Sequence, residues 1–379
     1  MNDVITTAAK KIRVGIIGAG NWAEYGHIPA LKLLPEFEIT AVYSRSREKA
    51  AALAERHQIR YPVTSLAELV NHPEVDLVLV LTPAPQHETG VRAAIAAGKD
   101  VYSEWPLTPS AAVSAELLAL AEQAGVRHVV GLQRRLAPGY RYVRDLLAQD
   151  YIGQLRSVRM HVSVEYFRQL RIAALYFTVP AENYSGLLHI YGGHFLDLLF
   201  THFGFPRTLS ALTVNQSPQV TLIETGETLP HTSADQVVLS GTFANGAVLS
   251  VHLEAGKRNN FGVQIDITGS EGDLKISNGT SFGDAANLIE GARGDARPLQ
   301  PLPVPPEYDW LPANQLGGST AELAHLYAAY ARDVRDGSHL APSFRDGLNM
   351  HAVIDTIVAS DRDGSRLDLV LPPDGRCPT

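Results

Sequence analysis

Along the first third of the chain, short wholly apolar runs alternate with stretches in which apolar residues recur every three or four positions. Val14 to Ile17, Ile39 to Tyr43 and Val75 to Leu81 are such runs, too short for most helices, and Lys99 to Ser103, Arg127 to Leu132 and a short piece near Tyr61 extend the series. Helices are predicted over Glu48 to His57, over Leu66 to Val70 behind the capping Ser65, over His87 to Ala97 before Gly98, and over Pro109 to Ala124. Fully apolar strands separated by helices imply a parallel sheet covered on both faces. The first 132 residues therefore read as a doubly wound α/β domain of the Rossmann type.

From Leu155 the rhythm changes. Ser157 to Val164, Leu209 to Val214, Asp235 to Phe243, Ala247 to Glu254 and Val263 to Thr268 mix polar with apolar positions, and Ala244-Asn245-Gly246 has the composition of a hairpin turn. An α+β domain over residues 133–379 is expected, with a large, mostly antiparallel open sheet and a helix from Leu187 to Phe203 covering one face. A proline-rich connector, Arg297 to Pro312, leads to helices over Ala321 to Arg335 and Phe344 to Ala359, which pack back toward the first domain. An apolar opposite face left uncovered would join copies of the chain, so a homodimer or homotetramer is expected.

The first apolar run breaks into Gly18-x-Gly20-x-x-Ala23. Gly18 permits the tight turn, Gly20 lets the backbone approach a pyrophosphate, and Ala23 lets the following helix pack closely with its N-terminal N–H groups toward the phosphates. A dinucleotide is the first ligand this suggests. The second strand ends at Ser44, followed by Arg45, Ser46 and Arg47, at the position that reads the adenosine ribose. A carboxylate there would repel a 2′-phosphate; a hydroxyl followed by Arg binds one, so NADP(H) is favoured and NAD(H) remains possible. The alternative is that Arg45 and Arg47 only solvate a helix start.

The net charge of −8 is spread without a long run of one sign, and no segment is long and apolar enough to span a bilayer. Neither a nucleic-acid nor a membrane partner is expected. The single cysteine, Cys377, excludes an internal disulfide framework and suits a cytoplasmic location. The tail before Lys11 is expected to be disordered. No spacing of His, Cys or carboxylates suggests a metal site, and there is no Gly-x-Ser-x-Gly elbow.

The turn Gly18-Ala19-Gly20-Asn21-Trp22-Ala23, then Thr82-Pro83 with His87, Gly98-Lys99, Glu104-Trp105-Pro106, Tyr151-Ile152-Gly153, and Gly192-Gly193-His194 with Asp197 occur in the order of a known family. The chain resembles the glucose-fructose oxidoreductase, inositol dehydrogenase and rhizopine-catabolism (Gfo/Idh/MocA) family from Arg13 to about Asp363. Glu104-Trp105, the Tyr-Ile-Gly turn and the Gly269 to Lys275 stretch resemble its Gal80-like branch. The resemblance implies that Gly18, Gly20, Asn21 and Trp22 hold the dinucleotide and that Thr82 and Pro83 meet its nicotinamide half. By the same carry-over His87 lies near ribose or pyrophosphate, Glu104, Trp105 and Pro106 complete the pocket, and Gln133 and Arg134 leave the last strand at the cleft edge.

Two departures stand out. The family usually has Lys where this chain has Trp105, and an acidic residue four positions before its histidine, where this chain has Ile190. His194 remains as the proton-transfer group, with Tyr191 or Tyr184 as possible phenolic donors and Asp197 as an orienting residue. Trp105 could pack on nicotinamide or a sugar face and donate through its indole N–H. Two functions follow: an NADP(H)-dependent oxidoreductase acting on a sugar, sugar derivative or other polyol, or a non-catalytic dinucleotide-binding sensor and transcriptional regulator of the Gal80 type.

Overall fold

The computed structural model describes residues 10–260, 262–280 and 287–373. Cys377, and all of the tail read as disordered except Lys10, fall outside them. The first sheet contains β1 (Ile12–Ile17), β2 (Phe37–Tyr43), β3 (Tyr61–Val63), β4 (Leu77–Val80), β5 (Asp100–Ser103) and β6 (His128–Val130), all parallel, in the order β3-β2-β1-β4-β5-β6. Val14 to Ile17 and all of β4 are buried, as strands covered on both faces must be. Around them run α1 (Ile28–Leu33), α2 (Arg47–His57), α3 (Leu66–Val70), α4 (His87–Ala96) and α5 (Ala111–Ala124). The serines Ser46, Ser65 and Ser110 cap α2, α3 and α5 by accepting the N–H groups of Lys49, Glu68 and Val113.

After α6 (Pro138–Ala148), which was not singled out in the sequence, β7 (Leu155–Ser163) enters the second sheet. Three short strands, β8 (Leu170–Arg171) and later β10 (Gln219–Leu222) and β11 (Thr228–Pro230), form a small separate sheet. The chain continues through α7 (Gly193–Phe203) and β9 (Thr208–Val214), then through β12 (Gln236–Thr242), β13 (Val248–Glu254), β14 (Gly262–Gly269), β15 (Gly272–Asn278), β16 (Leu288–Arg293) and β17 (Gln300–Pro301). The last elements are α8 (Gly318–Asp336), α9 (Phe344–Asp363) and β18 (Leu367–Asp368). The nine-stranded order is β17-β16-β15-β14-β7-β13-β12-β9-β18, antiparallel apart from the β13–β7 pair. Helix α8 packs on α1, and α9 lies against α5 on one side and β9 on the other, so the C-terminal helices join the two sheets.

One face of this sheet buries Val158, Met160, Val237, Leu239, Val251, Leu253, Ile265 and Ile267. Its other face is mixed, which corrects the expectation of an apolar one. Strict period-two alternation turns Arg159, His161, Ser240, Ser250 and His252 outward, and Arg159 pairs there with Asp266 at 2.8 Å. Among the described residues, Leu212, Val238, Val248 and Leu288 are exposed apolar positions on that face.

Candidate functional site

The site forms where β1, β4, β5 and β6 end and α7 begins. Gly18 sits at φ 110°, and a Cβ there would press on the Leu81 carbonyl at 3.1 Å, so the turn requires glycine. A Cβ at Gly20 would meet nothing within 4 Å, which leaves the space beside the helix start open for a phosphate. Asn21 is exposed at that opening. At the far end of the crevice the Ser44 hydroxyl accepts the Ser46 N–H at 3.2 Å, and Arg45 is exposed without an ion pair among the described residues. Thr82 Oγ1 and Gln133 Oε1, which follow β4 and β6, are buried without a hydrogen-bond partner among the described residues. An open turn, a hydroxyl with a neighbouring cation, and two orphaned polar atoms at the nicotinamide end fit a dinucleotide.

Glu104 is the electrostatic centre of this end. Its Oε1 accepts from Trp22 Nε1 at 3.0 Å and from the Tyr102 hydroxyl at 2.9 Å, and it lies 2.5 Å from His27 Nε2. His27 in turn meets the Tyr327 hydroxyl of α8 through Nδ1 at 2.5 Å. Burial alone would raise the Glu104 carboxyl; the attraction of His27 and the hydrogen bonds outweigh it and hold the group below the ordinary carboxylate range. Burial pushes the Tyr102 and Tyr327 phenols well above theirs. Trp22 is thus tied from the nucleotide turn to the end of β5, its ring lying against Gly26, where a Cβ would overlap it. His27, Tyr102 and Tyr327 were not singled out in the sequence; the only available signal was a polar residue inside an otherwise apolar stretch.

His87 lies beneath the cleft and is buried. Its Nδ1 is 2.9 Å from the Pro106 carbonyl and its Nε2 is 2.5 Å from the Thr82 carbonyl, so it ties the Thr82-Pro83 loop to the Glu104-Trp105-Pro106 turn. Burial lowers its pKa, and the neutral ring, with one N–H, donates to one of these carbonyls and only packs against the other. This geometry makes His87 a brace behind the crevice rather than a group reaching into it.

Trp105 differs from expectation too. It is only 5% exposed, its indole N–H donates to the His189 carbonyl at 2.6 Å, and its ring lies 5.4 Å from that of His351. A Cβ at Gly193 would overlap Trp105 Nε1 and Cε2. The indole therefore bonds the first domain to the start of α7, with little surface left for a ligand. Gly193→Ala is expected to destabilise the protein by about 1–3 kcal/mol through overpacking, read from the urea midpoint. An unchanged midpoint would show that the indole can shift freely.

His194 follows Gly193 on α7 and is 6% exposed. Burial pushes its imidazole down to about 3; the Arg134 charge acts in the same direction and Glu104 opposes both. Arg134 itself pairs with Glu322 of α8 at 3.3 Å and lies over the Phe195 ring at 4.3 Å. Asp197 does not orient His194: it takes the Arg135 guanidinium, which also bonds Asp346 of α9 at 2.9 Å, so three elements meet at one cation. Tyr191 is buried beside Tyr166 and Phe167, with centroid separations of 6.3 and 5.5 Å. Tyr184 turns away, its ring 3.8 Å from that of His189 and its hydroxyl donating to Asp355 at 3.4 Å. Among the described residues no group of His, Cys, Asp and Glu could hold a metal, and no helix is long and apolar enough to cross a membrane.

The family model for the oxidoreductase family with an NAD-binding Rossmann fold matches residues 12–132, and that for the Gal80p C-terminal domain matches residues 138–278. The dehydrogenase aclE of Aspergillus oryzae is 31% identical over 283 residues, spanning 71% of this chain and 77% of that protein. The chain belongs to the Gfo/Idh/MocA oxidoreductase family. Its second domain is of the Gal80p kind. The galactose/lactose metabolism regulatory protein GAL80 of Saccharomyces cerevisiae is 26% identical, with 95% of each chain covered. Among solved structures, levoglucosan dehydrogenase in complex with NADH and levoglucosan shares the fold at a TM-score of 0.84, with 21% identity and coverage of 95% of this chain and all of that one.

Proposed function

We propose that the protein is an NADP(H)-dependent oxidoreductase that exchanges hydride with a sugar, sugar derivative or other polyhydroxylated small molecule, with His194 as the group that takes and returns the proton. The observation that carries this reading is the pair of orphaned atoms, Thr82 Oγ1 and Gln133 Oε1, following β4 and β6 beside a turn that is open over Gly20, with the helix that carries His194 packed on the segment that begins at Gln133. A bound nicotinamide would supply hydride exchange. Oxidation of a carbinol also releases a proton, and neutral His194 presents a ring nitrogen to accept it. Gly18, Gly20, Asn21 and Trp22 hold the dinucleotide from the turn, while Pro83, Glu104 and Pro106 bound its nicotinamide end. Tyr191 shapes the wall beside His194.

Ser44 and Arg45 support the choice of NADP(H), because hydroxyl and guanidinium together suit a 2′-phosphate. NADP(H) is expected to bind roughly 10-fold or more tightly than NAD(H), and Arg45→Ala to erase most of that preference in calorimetric titrations. Equal affinities for the wild-type protein would contradict it.

A second reading has its own support. The indole of Trp105 fills the position of the usual Lys and Ile190 that of the usual acid, which favours a dinucleotide-binding regulator without turnover. A panel of polyols and ketoses, assayed in both directions by nicotinamide absorbance, separates the two. Turnover that falls in His194→Ala supports the enzyme; cofactor binding with no turnover above the His194→Ala background supports the regulator.

A further inference from the structure

A buried arginine pins the small sheet. Arg171 of β8 is 3% exposed; its Nε donates to the Arg168 carbonyl at 3.1 Å, its Nη1 to Thr178 Oγ1 at 2.6 Å and its Nη2 to His231 Nε2 at 3.3 Å. Among the described residues no carboxylate pairs with this guanidinium. The other nitrogen of His231 fixes the state of its ring. Nδ1 lies 2.8 Å from the Ser217 carbonyl, which can only accept, so Nδ1 carries the hydrogen and Nε2 offers the Arg171 N–H a lone pair.

Both partners support the chain that leads into α7. The Arg171 guanidinium lies 5.3 Å from the centre of the Phe167 ring, which meets Tyr191 edge-on at 5.5 Å, three residues before His194. Phe167 stands at φ 62°, a left-handed conformation that costs a bulky residue energy and persists only when its surroundings impose it. On the His231 side, the Thr232 N–H donates to the Val179 carbonyl at 3.3 Å, and Thr232 Oγ1 accepts the Ala181 N–H at 2.8 Å. A Cβ on Gly186 would press on Ser233 at 2.8 Å, so the stretch after His231 lies tightly against the approach to Tyr191.

We propose that His231 and Arg171 form a proton-sensitive latch: a proton on His231 Nε2 removes the acceptor for the guanidinium, sets two cations 3.3 Å apart and releases the segment behind Tyr191. Asp235, just before β12, is the other charged group that faces the pair among the described residues, and its Oδ1 already accepts the Gln216 N–H at 2.9 Å. The Arg168 guanidinium turns away to Glu165 at 3.4 Å, and the remaining neighbours, Thr178, Asn215 and Ser217, carry no charge. Burial and then the Arg171 charge lower the His231 pKa, against the Ser217 carbonyl and Asp235. The stabilisation is therefore fully present above about pH 6.5, the unfolded value, and is lost as pH falls through the folded one. Strain at Phe167 favours release once the guanidinium lets go.

Amide hydrogen exchange of the full chain, followed by mass spectrometry from about pH 7.5 to about pH 4.5 and corrected for the intrinsic pH dependence, tests the latch. Protection of residues 165–178 and 215–233 is expected to fall roughly 10-fold or more on the acid side while that of β1 and β4 holds. In His231→Gln the amide can donate to Ser217 and accept from Arg171 without titrating, so the segment is expected to stay closed throughout. Arg171→Met, which removes the second cation, is expected to show no acid step. The readout does not depend on turnover and so stands apart from the choice between enzyme and regulator; acid inactivation that His231→Gln resists belongs to the latch and not to His194. No acid step in the wild-type protein, a step shared with β1 and β4, or a step of wild-type size in both variants overturns the latch.

Discussion

Replacing His194 by alanine is expected to lower turnover by about 10²–10⁴-fold while leaving dinucleotide affinity nearly unchanged. The effect is large because no second base is offered in its place: Trp105 donates its one N–H to a carbonyl, position 190 is isoleucine, and Tyr184 points to Asp355. The pH dependence follows from burial. With its pKa pushed down to about 3, His194 is neutral at every pH at which the protein would be assayed, so it does not contribute an inflection between about pH 5 and pH 8. Oxidation draws on the neutral ring and should therefore persist as pH falls through that range. A histidine-like inflection near 6.5 that disappears in His194→Ala would show that the ring is more hydrated than its burial implies. Loss of cofactor affinity in the variant would place its role in binding instead.

The alternation of apolar strands and amphipathic helices made the first domain legible because both periods are strong and the serine caps are local signals. The second sheet was legible at β7, β9, β12, β13 and β14 for the same reason, whereas the strands β8, β10 and β11 are too short to stand out; α6, with Tyr140, Val143 and Leu146 spaced along one buried face, carries a pattern as legible as any other helix of the chain. Glycine motifs marked the cleft, since Gly18 and Gly193 are demanded by contacts that only glycine tolerates. What sequence could not supply was the direction of side chains. Trp105 and His87 occur in the right motifs but turn into the interdomain packing and beneath the loops, and Asp197 answers Arg135 rather than the histidine on its own helix. Those outcomes depend on residues 62 positions apart for Arg135–Asp197 and 84 for Trp105–His189, pairings that no local spacing reveals. The pKa of His194 is of the same kind: the residue type sets its ordinary value, and burial, with the nearby Arg134 charge, pushes it down.

Glu104→Leu is expected to cost about 3–5 kcal/mol, a substantial part of the roughly 5–15 kcal/mol that stabilises a typical domain. The carboxylate is the common acceptor for Trp22 and Tyr102 and the close neighbour of His27, and leucine would leave all three facing an apolar surface. Buried donors without an acceptor each carry a desolvation penalty, so the loss exceeds that of one hydrogen bond. Glu104→Gln, which keeps an acceptor oxygen but removes the charge, should cost about 1–3 kcal/mol. Urea unfolding of the three proteins gives the ranking directly, with wild type above Gln and Gln above Leu. The same series probes the nucleotide turn, because Trp22 is held across the crevice by this carboxylate: its fluorescence should change in Glu104→Leu even without ligand, and dinucleotide affinity should fall in the same order as stability. If Glu104→Leu proved as stable as wild type, the three donors must find other partners and the cluster would not be what fixes Trp22. If stability fell while affinity held, the turn would keep its shape through Gly18 and the β1 backbone alone.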